Sequence, residues 1–171
     1  MEVNKGDRKY KILFVCLGNI CRSPSANGIM EHLVEAKNLS NFYEVDSAGT
    51  YAGHKGDLPD KRMRAHAIRR GYDLTHRARP VCIEDFERFD LIIAMDDRNY
   101  YDLYELAPDL ESRRKIHRMV EYSINPTYDY VPDPYYSGAD GFELVLDLLE
   151  DACRGLIDSL EKKRINGVLF D

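Results

Sequence analysis

The stretch FVCLGNICRSPS, from Phe14 to Ser25, decides the fold of this chain. The run before it, Lys11 to Val15, is apolar and free of helix or strand breakers, which predicts a buried strand. After it, Ser25 to Lys37 carries apolar residues at helical spacing, and Ser23 and Pro24 suit the N-cap and first turn of a helix. A strand–loop–helix aims backbone N–H groups and the positive end of a helix dipole at one point, so the sequence predicts an anion-binding loop.

The two ends of this loop predict its chemistry. Cys16 opens the loop, where amide groups, the helix N-terminus and Arg22 would all favour a thiolate nucleophile. Arg22 offers a planar fork of donors that can hold two phosphate oxygens at once. The alternative is a buried structural cysteine beside a helix-capping arginine. Placement between a strand and a helix favours attack by the thiolate on phosphorus and a phosphocysteine intermediate.

The segment VCLGNICRSP, residues 15–24, closely resembles the signature of the low-molecular-weight protein tyrosine phosphatases. Matches follow in family order from about Lys11 to about Leu160, nearly the whole chain. The resemblance implies a cofactor-free enzyme that hydrolyses phosphotyrosine. The further matching segments are DSAGT at 46–50, HRAR at 76–79, residues 90–96, which resemble the family's third strand, and DPYY at 133–136.

A proton donor is needed because a phenolate is a poor leaving group. Asp133 lies between Pro132 and Pro134, which restrict the backbone and so limit where its carboxyl group can go. The Asp-Pro pair is commonly an ordinary turn. The resemblance implies instead that Asp133 is the general acid, and then the base that activates water. The predicted catalytic residues are therefore Cys16, Arg22 and Asp133.

Other residues are expected to support the loop. The resemblance implies that Asn19 adopts a left-handed conformation held by Ser23, Ser47 and His76, and asparagine tolerates that conformation better than most residues. His76 can also be read as a surface histidine. Asp96 resembles the residue that orients the active-site arginine, and it can also cap the helix that follows. The predicted phosphate-binding loop comprises Leu17, Gly18, Asn19, Ile20, Cys21, Arg22 and Ser23.

The walls of the cleft should select the substrate. Tyr135 and Tyr136 follow the acid, and the resemblance implies that they flank the substrate ring. Tyr51 and His54 are the candidates for the opposite wall. Here the chain departs from the aromatic residue of mammalian members, because Gly53 occupies the corresponding position.

Cys21 is close enough in sequence to pair with Cys16. The family uses such a neighbour to trap the oxidised nucleophile as a reversible disulfide; the alternative is a small buried loop residue. No second Cys/His pair with zinc spacing accompanies them, so we expect no metal site. Cys82 and Cys153 are expected to be structural.

Composition is that of one compact domain. The chain has 171 residues, 44% of them hydrophobic and 32% charged, and domains usually hold roughly 100–200 residues. We expect a flexible leader at 1–9, the phosphatase domain at 10–163 and a C-terminal tail at 164–171. The net charge of −6 argues against nucleic-acid binding. No apolar run approaches the ~20 residues of a membrane span.

A nucleophilic thiol requires a reducing compartment, so we expect a cytoplasmic protein. Its partners should be phosphotyrosine proteins or peptides, with inorganic phosphate as product. The chain itself should be a monomer or weak dimer.

Alternating strands and helices predict a single-domain α/β fold: a doubly wound, four-stranded parallel sheet flanked by helices. The binding crevice should lie beyond the carboxyl ends of the strands. The predicted strands cover residues 11–15, 42–46, 91–95 and 115–120; the predicted helices cover 25–37, 60–70, 83–89, a segment ending near 106, and 139–163, with a long loop at 121–138.

Three other classes of protein have sequence requirements that this chain does not match. An arsenate reductase resembles this fold and uses the same anion loop, but it needs two further neighbouring cysteines, and Cys82 has no close companion. A phosphopeptide-binding module would need neither Cys16 nor Asp133. A nucleotide or flavin binder would need glycine and lysine spacings that the loop lacks.

Overall fold

The computed structural model describes residues 8–171; residues 1–7, most of the predicted leader, lie outside the described part. Within it, the strands are β1 (Tyr10–Cys16), β2 (Tyr43–Gly49), β3 (Leu91–Ala94) and β4 (Ile116–Arg118). The helices are α1 (Arg22–Ala36), α2 (Lys61–Ile68), α3 (Asp85–Arg88), α4 (Asp97–Leu106), α5 (Leu110–Arg114) and α6 (Ala139–Ile165), with a 3₁₀ turn at Met119–Tyr122.

The strands form one sheet in the order β2-β1-β3-β4. All three pairings are parallel, and β1 pairs with β2 along its whole length, from Tyr10 opposite Tyr43 to Cys16 opposite Gly49. The predicted four-stranded parallel α/β fold is confirmed. Because β1 has a neighbour on each side, Cys16 stands at the end of a strand that cannot shift without disturbing the sheet.

Residues of β1 alternate between two cores. Ile12, Phe14 and Cys16 join the cluster formed with α1 and α6, whereas Leu13 and Val15 join the cluster on the other face. Each of these side chains is at most 2% exposed, and burying an aliphatic or phenyl side chain stabilises a fold by roughly 1.5–3 kcal/mol. A parallel strand that is covered on both faces is apolar throughout, so the segment shows no alternation of apolar and polar residues.

The predicted start of the first helix is wrong by three residues. Helix α1 begins at Arg22, with Cys21 at the N-cap and no side-chain cap. Ser23 therefore lies inside the first turn and does not cap the helix. Its hydroxyl is instead directed at the loop, where Asn19 and Cys16 lie within hydrogen-bond distance. Pro24 occupies the first turn as predicted.

Helix α5 was not predicted. It follows Pro108 and is capped by Asp109, whose carboxylate accepts the N–H of Ser112 at 2.7 Å. Aspartate is a common N-cap residue, and Asp109 directly follows Pro108, so the start of this helix has a recognisable sequence signal. The helix is only five residues long, so it offers little apolar periodicity to reveal it.

Helix α6 extends two residues beyond the predicted end, to Ile165. The segment that follows folds back on the domain: Leu169 is buried, and the Phe170 ring centroid lies 5.7 Å from that of Tyr10. Of the helices in residues 8–171, none combines the length and the apolar character that crossing a membrane requires.

Candidate active site

A cleft of about 240 Å³ opens at the carboxyl end of β1. Its floor is the loop between β1 and α1, and Cys16 lies at the base, only 2% exposed. A cleft beyond the carboxyl ends of parallel strands is where open α/β sheets bind ligands. Its lining residues are Cys16, Leu17, Gly18, Ile20, Cys21, Arg22, Tyr51, His54, Asp133, Tyr135 and Tyr136.

The end of β2 fixes the start of the loop. The N–H groups of Thr50 and Tyr51 donate to the carbonyls of Cys16 and Leu17, at 3.0 and 2.9 Å. Gly49 permits this close approach, since a Cβ atom there would lie 2.7 Å from the Leu17 carbonyl oxygen. The glycine of the DSAGT segment is therefore a packing requirement of the loop.

Asn19 is the centre of the loop's hydrogen-bond network. Its φ of 56° is left-handed, and the side chain is 1% exposed. Its amide nitrogen donates to the hydroxyls of Ser23 and Ser47, at 2.8 and 3.1 Å. Its carbonyl oxygen accepts from His76 Nε2 and from the backbone N–H of Arg79, both at 3.1 Å. Four partners from three segments hold a strained residue in place.

His76 connects this network to an outer layer of charge. Burial lowers the pKa of His76, and the Asp46 carboxylate, 3.4 Å from Nδ1, opposes that effect only in part. The Asn19 amide nitrogen faces Ser23 and Ser47, so the amide oxygen faces His76 Nε2. Because that oxygen can only accept a hydrogen bond, Nε2 carries a proton. Arg79 pairs with both Asp46 and Asp85 and so fixes the carboxylate beside His76.

Ser23 lies beside the predicted nucleophile. Its hydroxyl oxygen is 3.0 Å from Cys16 Sγ, and it already accepts a hydrogen bond from Asn19. The hydroxyl proton has two acceptors within reach, the sulfur at 3.0 Å and the more distant Ala48 carbonyl at 3.4 Å. This geometry suits stabilisation of a negative charge on the sulfur.

Arg22 is buried and fixed from below. One guanidinium nitrogen donates to Asp96 Oδ2 at 2.6 Å and to the Val131 carbonyl at 3.0 Å, and the other lies 3.7 Å from Asp133 Oδ2. Burial acts to lower the pKa of Arg22, but the negative charges of Cys16, Asp96 and Asp133 outweigh it and raise the pKa. Arg22 is thus a fixed cation.

Asp96 plays both roles considered from the sequence. One carboxylate oxygen holds Arg22, and the other accepts the N–H of Asn99 at 2.9 Å, as the N-cap of α4. The Asn99 side chain in turn accepts the backbone N–H of Asp96, which completes a capping box. The helix start and the arginine are therefore fixed by the same side chain.

Asp133 is the exposed member of the site. Its side chain is 44% exposed, and one oxygen accepts the backbone N–H of Tyr135 at 3.1 Å. The other oxygen faces Arg22 across the mouth of the cleft. A carboxyl group above a buried thiol can reach the leaving oxygen of a phosphate ester held between them.

The walls are aromatic on both sides. Tyr51 and His54 meet edge to face with ring centroids 6.0 Å apart, and Tyr135 and Tyr136 do so at 4.9 Å. Tyr136 is 96% exposed, so it forms the outer rim. His54 also covers Gly18, where an added Cβ would lie 3.1 Å from the imidazole.

The four cysteines are unpaired: Cys16, Cys21 and Cys153 are buried and Cys82 is exposed. Burial, with the charge of Asp60 as a second cause, raises the pKa of Cys21. Within residues 8–171, no group of three or more His, Cys, Asp or Glu side chains is arranged to hold a metal ion.

Three contributors to the site escaped sequence reasoning. The Arg79 backbone N–H and the Val131 carbonyl carry no side-chain signal. Arg62 hydrogen-bonds the Tyr135 carbonyl at 2.9 Å. The pattern Asp60-x-Arg62 at a helix start was visible in the sequence, but nothing local indicates its contact with a segment more than 70 residues away.

A buried thiol, a paired guanidinium and a carboxyl group surround one cleft of about 240 Å³, an arrangement typical of cysteine-dependent phosphatases. The comparisons agree. The sequence model of the low molecular weight phosphotyrosine protein phosphatases matches residues 11–166, and the chain belongs to that family.

Known proteins resemble the chain over most of its length. The Synechocystis sp. protein slr0328, named as a putative low molecular weight protein-tyrosine-phosphatase, is 47% identical over 91% of this chain and 99% of its own. The human low molecular weight phosphotyrosine protein phosphatase is 36% identical over 86% of this chain and 93% of its own. A protein tyrosine phosphatase structure from Entamoeba histolytica superposes with a TM-score of 0.88 at 46% identity, covering 91% of this chain and 99% of that one.

Proposed function

We propose that this protein hydrolyses phosphotyrosine in two steps through a phosphocysteine on Cys16. The observation that carries the proposal is the single cleft in which Cys16, Arg22 and Asp133 meet between aromatic walls. Membership of the family supports the enzyme class, and the geometry of the cleft supports the roles of the residues.

In the first step, the phosphoryl oxygens bind the loop amides and Arg22. Cys16 Sγ then attacks phosphorus, so a P–S bond forms while the bond from phosphorus to the phenolic oxygen breaks. Asp133 gives its proton to that oxygen, and the phenol leaves neutral. Arg22 and the amides stabilise negative charge where it develops, and stabilisation of this kind contributes more to the rate of many enzymes than any other effect.

In the second step, Asp133 is a carboxylate and takes a proton from water. The water oxygen attacks phosphorus, the P–S bond breaks, and the sulfur leaves as a thiolate. The Ser23 hydroxyl, 3.0 Å away, stabilises that thiolate. Inorganic phosphate is released, and both Cys16 and Asp133 return to their starting protonation states.

The aromatic walls support a preference for phosphotyrosine. Tyr51 and His54 on one side and Tyr135 and Tyr136 on the other offer flat faces to a phenyl ring. The thiol is buried at the base of the cleft, so a short phosphoserine side chain would reach it less well. The proposed substrates are therefore phosphotyrosine proteins or peptides.

Three further expectations belong to this proposal. No cofactor is needed, since Arg22 and the loop amides supply the positive charge that a metal ion would bring. A cytoplasmic location is supported by the need to keep Cys16 reduced. The protein is expected to act as a monomer or weak dimer, which sedimentation at several concentrations would measure.

Phosphate release from para-nitrophenyl phosphate in reducing, EDTA-containing buffer tests the proposal. Wild type should turn over and Cys16→Ser should lose about 10⁴-fold or more, as enzymes do when the nucleophile is removed. A phosphotyrosine peptide should be preferred over the same peptide with phosphoserine. The comparisons do not favour the arsenate reductase alternative. A folded wild type that is inactive on these esters but reduces arsenate with a thiol donor would reverse the assignment.

A further inference from the structure

We propose that Arg62, held by Asp60, is a positioning residue that keeps the acid loop in register with the phosphate loop. The acid loop is defined here as residues 131–137, and the phosphate loop as residues 16–23. The inference rests on the proposed role of Asp133 as general acid and assigns a task to two residues outside the cleft lining.

Asp60 fixes the guanidinium of Arg62 to the phosphate-loop side. Arg62 Nε and Nη2 donate to the two Asp60 oxygens, at 3.1 and 3.0 Å. The same carboxylate caps α2 by accepting the N–H groups of Arg62 and Met63. The backbone N–H of Asp60 donates to the Ile20 carbonyl at 2.7 Å. The pair is therefore attached to the phosphate loop by its backbone.

The other side of the guanidinium holds the acid loop. Arg62 Nη2 donates to the Tyr135 carbonyl at 2.9 Å. The guanidinium carbon lies 5.3 Å from the centroid of the Tyr135 ring and 4.9 Å from that of Phe142, both within cation–π range. The N–H of Tyr135 in turn holds the Asp133 carboxylate. Tyr135 thus connects the two side chains: its carbonyl accepts from Arg62 and its N–H donates to Asp133.

The acid loop has few other attachments. Val131 is bonded to Met95 and Arg22. Among the hydrogen bonds of the described residues, the one from Arg62 alone ties residues 132–136 to another element; the others join members of the loop to each other. Without the hydrogen bond from Arg62, the position of Asp133 would depend on the neighbouring prolines and on the charge of Arg22, 3.7 Å away.

Only arginine suits this position. Its planar fork serves a carboxylate and a carbonyl at once while its face stacks on a ring. A lysine keeps the charge but offers a single, flexible ammonium group. Misplacement of a catalytic group by about 1 Å can cost about 10²-fold in rate, so a loosened acid loop should be visible in kinetics.

Leaving-group dependence is the readout that a merely structural role would not move. We would measure kcat/KM for phenyl phosphate and for para-nitrophenyl phosphate, because phenolate needs a proton from the acid far more than nitrophenolate does. Arg62→Met should lose about tenfold on phenyl phosphate but less than about threefold on para-nitrophenyl phosphate. The inhibition constant of inorganic phosphate should stay unchanged, because the phosphate loop is intact.

Arg69→Met is the matched control, since Arg69 is exposed at the end of the same helix and its side chain makes no hydrogen bond or ion pair among the described residues. It should behave as wild type. If Arg62→Met is difficult to fold, Asp60→Asn keeps a good N-cap and removes the carboxylate that holds the Arg62 guanidinium. This variant should show the same pattern more weakly.

Equal losses on both esters, or a rise in the phosphate inhibition constant matching the loss of kcat/KM, would overturn the inference. The same would follow if Arg62→Lys matched wild type on phenyl phosphate. Asp133→Ala, measured in parallel, tests the underlying assignment separately. If it shows no leaving-group dependence, the role of Asp133 fails; if it does and Arg62→Met does not, only the positioning role fails.

Discussion

The phosphate loop and the acid loop face each other across one cleft but differ in burial. In the phosphate loop, Cys16 and Arg22 are 2% exposed and Ser23 is fully buried. In the acid loop, the Asp133 side chain is 44% exposed and Tyr136 is 96% exposed. The first loop belongs to the core of the protein, whereas the second lies over its surface.

Their hydrogen bonds differ in the same sense. Asn19 alone joins the phosphate loop to three residues outside it, Ser47, His76 and Arg79. Residues 132–136, in contrast, receive one hydrogen bond from another element among the described residues. A loop that binds a dianion works best when its donors are already fixed. A loop that carries an acid must also let an aryl phosphate enter and a phenol leave. The difference in anchoring matches the difference in task.

The comparison predicts that Asp133→Ala has the largest effect of the variants considered below, and that this effect falls on the rate and not on stability. Because the side chain is exposed and outside the core, we expect stability to change by less than about 0.5 kcal/mol. We expect kcat/KM on phenyl phosphate to fall by about 10²–10³-fold, the usual worth of a positioned general acid. Phosphate inhibition and thermal unfolding provide the controls. A large loss of phosphate affinity would show that the two loops are not separable.

Asn19→Ala should affect both binding and stability. It removes four hydrogen bonds and leaves the buried Ser47 hydroxyl without its partner, which costs about 1–3 kcal/mol in the free energy of unfolding. The loop amides would lose their alignment, and we expect the phosphate inhibition constant to rise about tenfold, in line with that cost. Urea unfolding and inhibition kinetics measure the two effects. Unchanged phosphate affinity in a destabilised variant would mean that the loop does not depend on Asn19.

The smallest effect concerns pH and His76. Burial lowers the pKa of His76, so the unfolded chain takes up a proton at higher pH than the folded protein. The stability from neutral His76 is present above the unfolded pKa of about 6.5 and is lost as pH falls toward the lowered folded pKa. The contribution of His76 to the change in the free energy of unfolding should stay well below about 1.4 kcal/mol per pH unit, because the side chain is partly exposed.

His76→Gln is the variant for this measurement, because it retains a donor for Asn19 without titrating near neutral pH. Its free energy of unfolding should fall less steeply than that of wild type as the pH is lowered from about 7 to about 5, the range around the unfolded pKa. Parallel curves would show that His76 contributes nothing to the acid sensitivity of the phosphate loop.

The sequence alone determined the parts whose physics is local. An apolar run with no breaker becomes a buried strand, and Cys16, Gly18 and Arg22 at their spacing predict a strand–loop–helix anion site. The sequence also predicted the bounds of most helices and strands to within a few residues, except where an element was too short to show an apolar periodicity. Helix α5 was missed for that reason, and Ser23 was misassigned as a cap because its true partners come from the loop.

Tertiary structure decided which distant segments meet. Asn19 accepts from the Arg79 backbone, 60 residues away, and Arg62 reaches Tyr135, 73 residues away. Backbone donors and long-range arginine contacts leave no local pattern, since they arise only when helices pack on both faces of the sheet. The chain thus encodes its chemical groups in short motifs, and packing sets the distances at which those groups act, because contacts between remote segments depend on the whole fold.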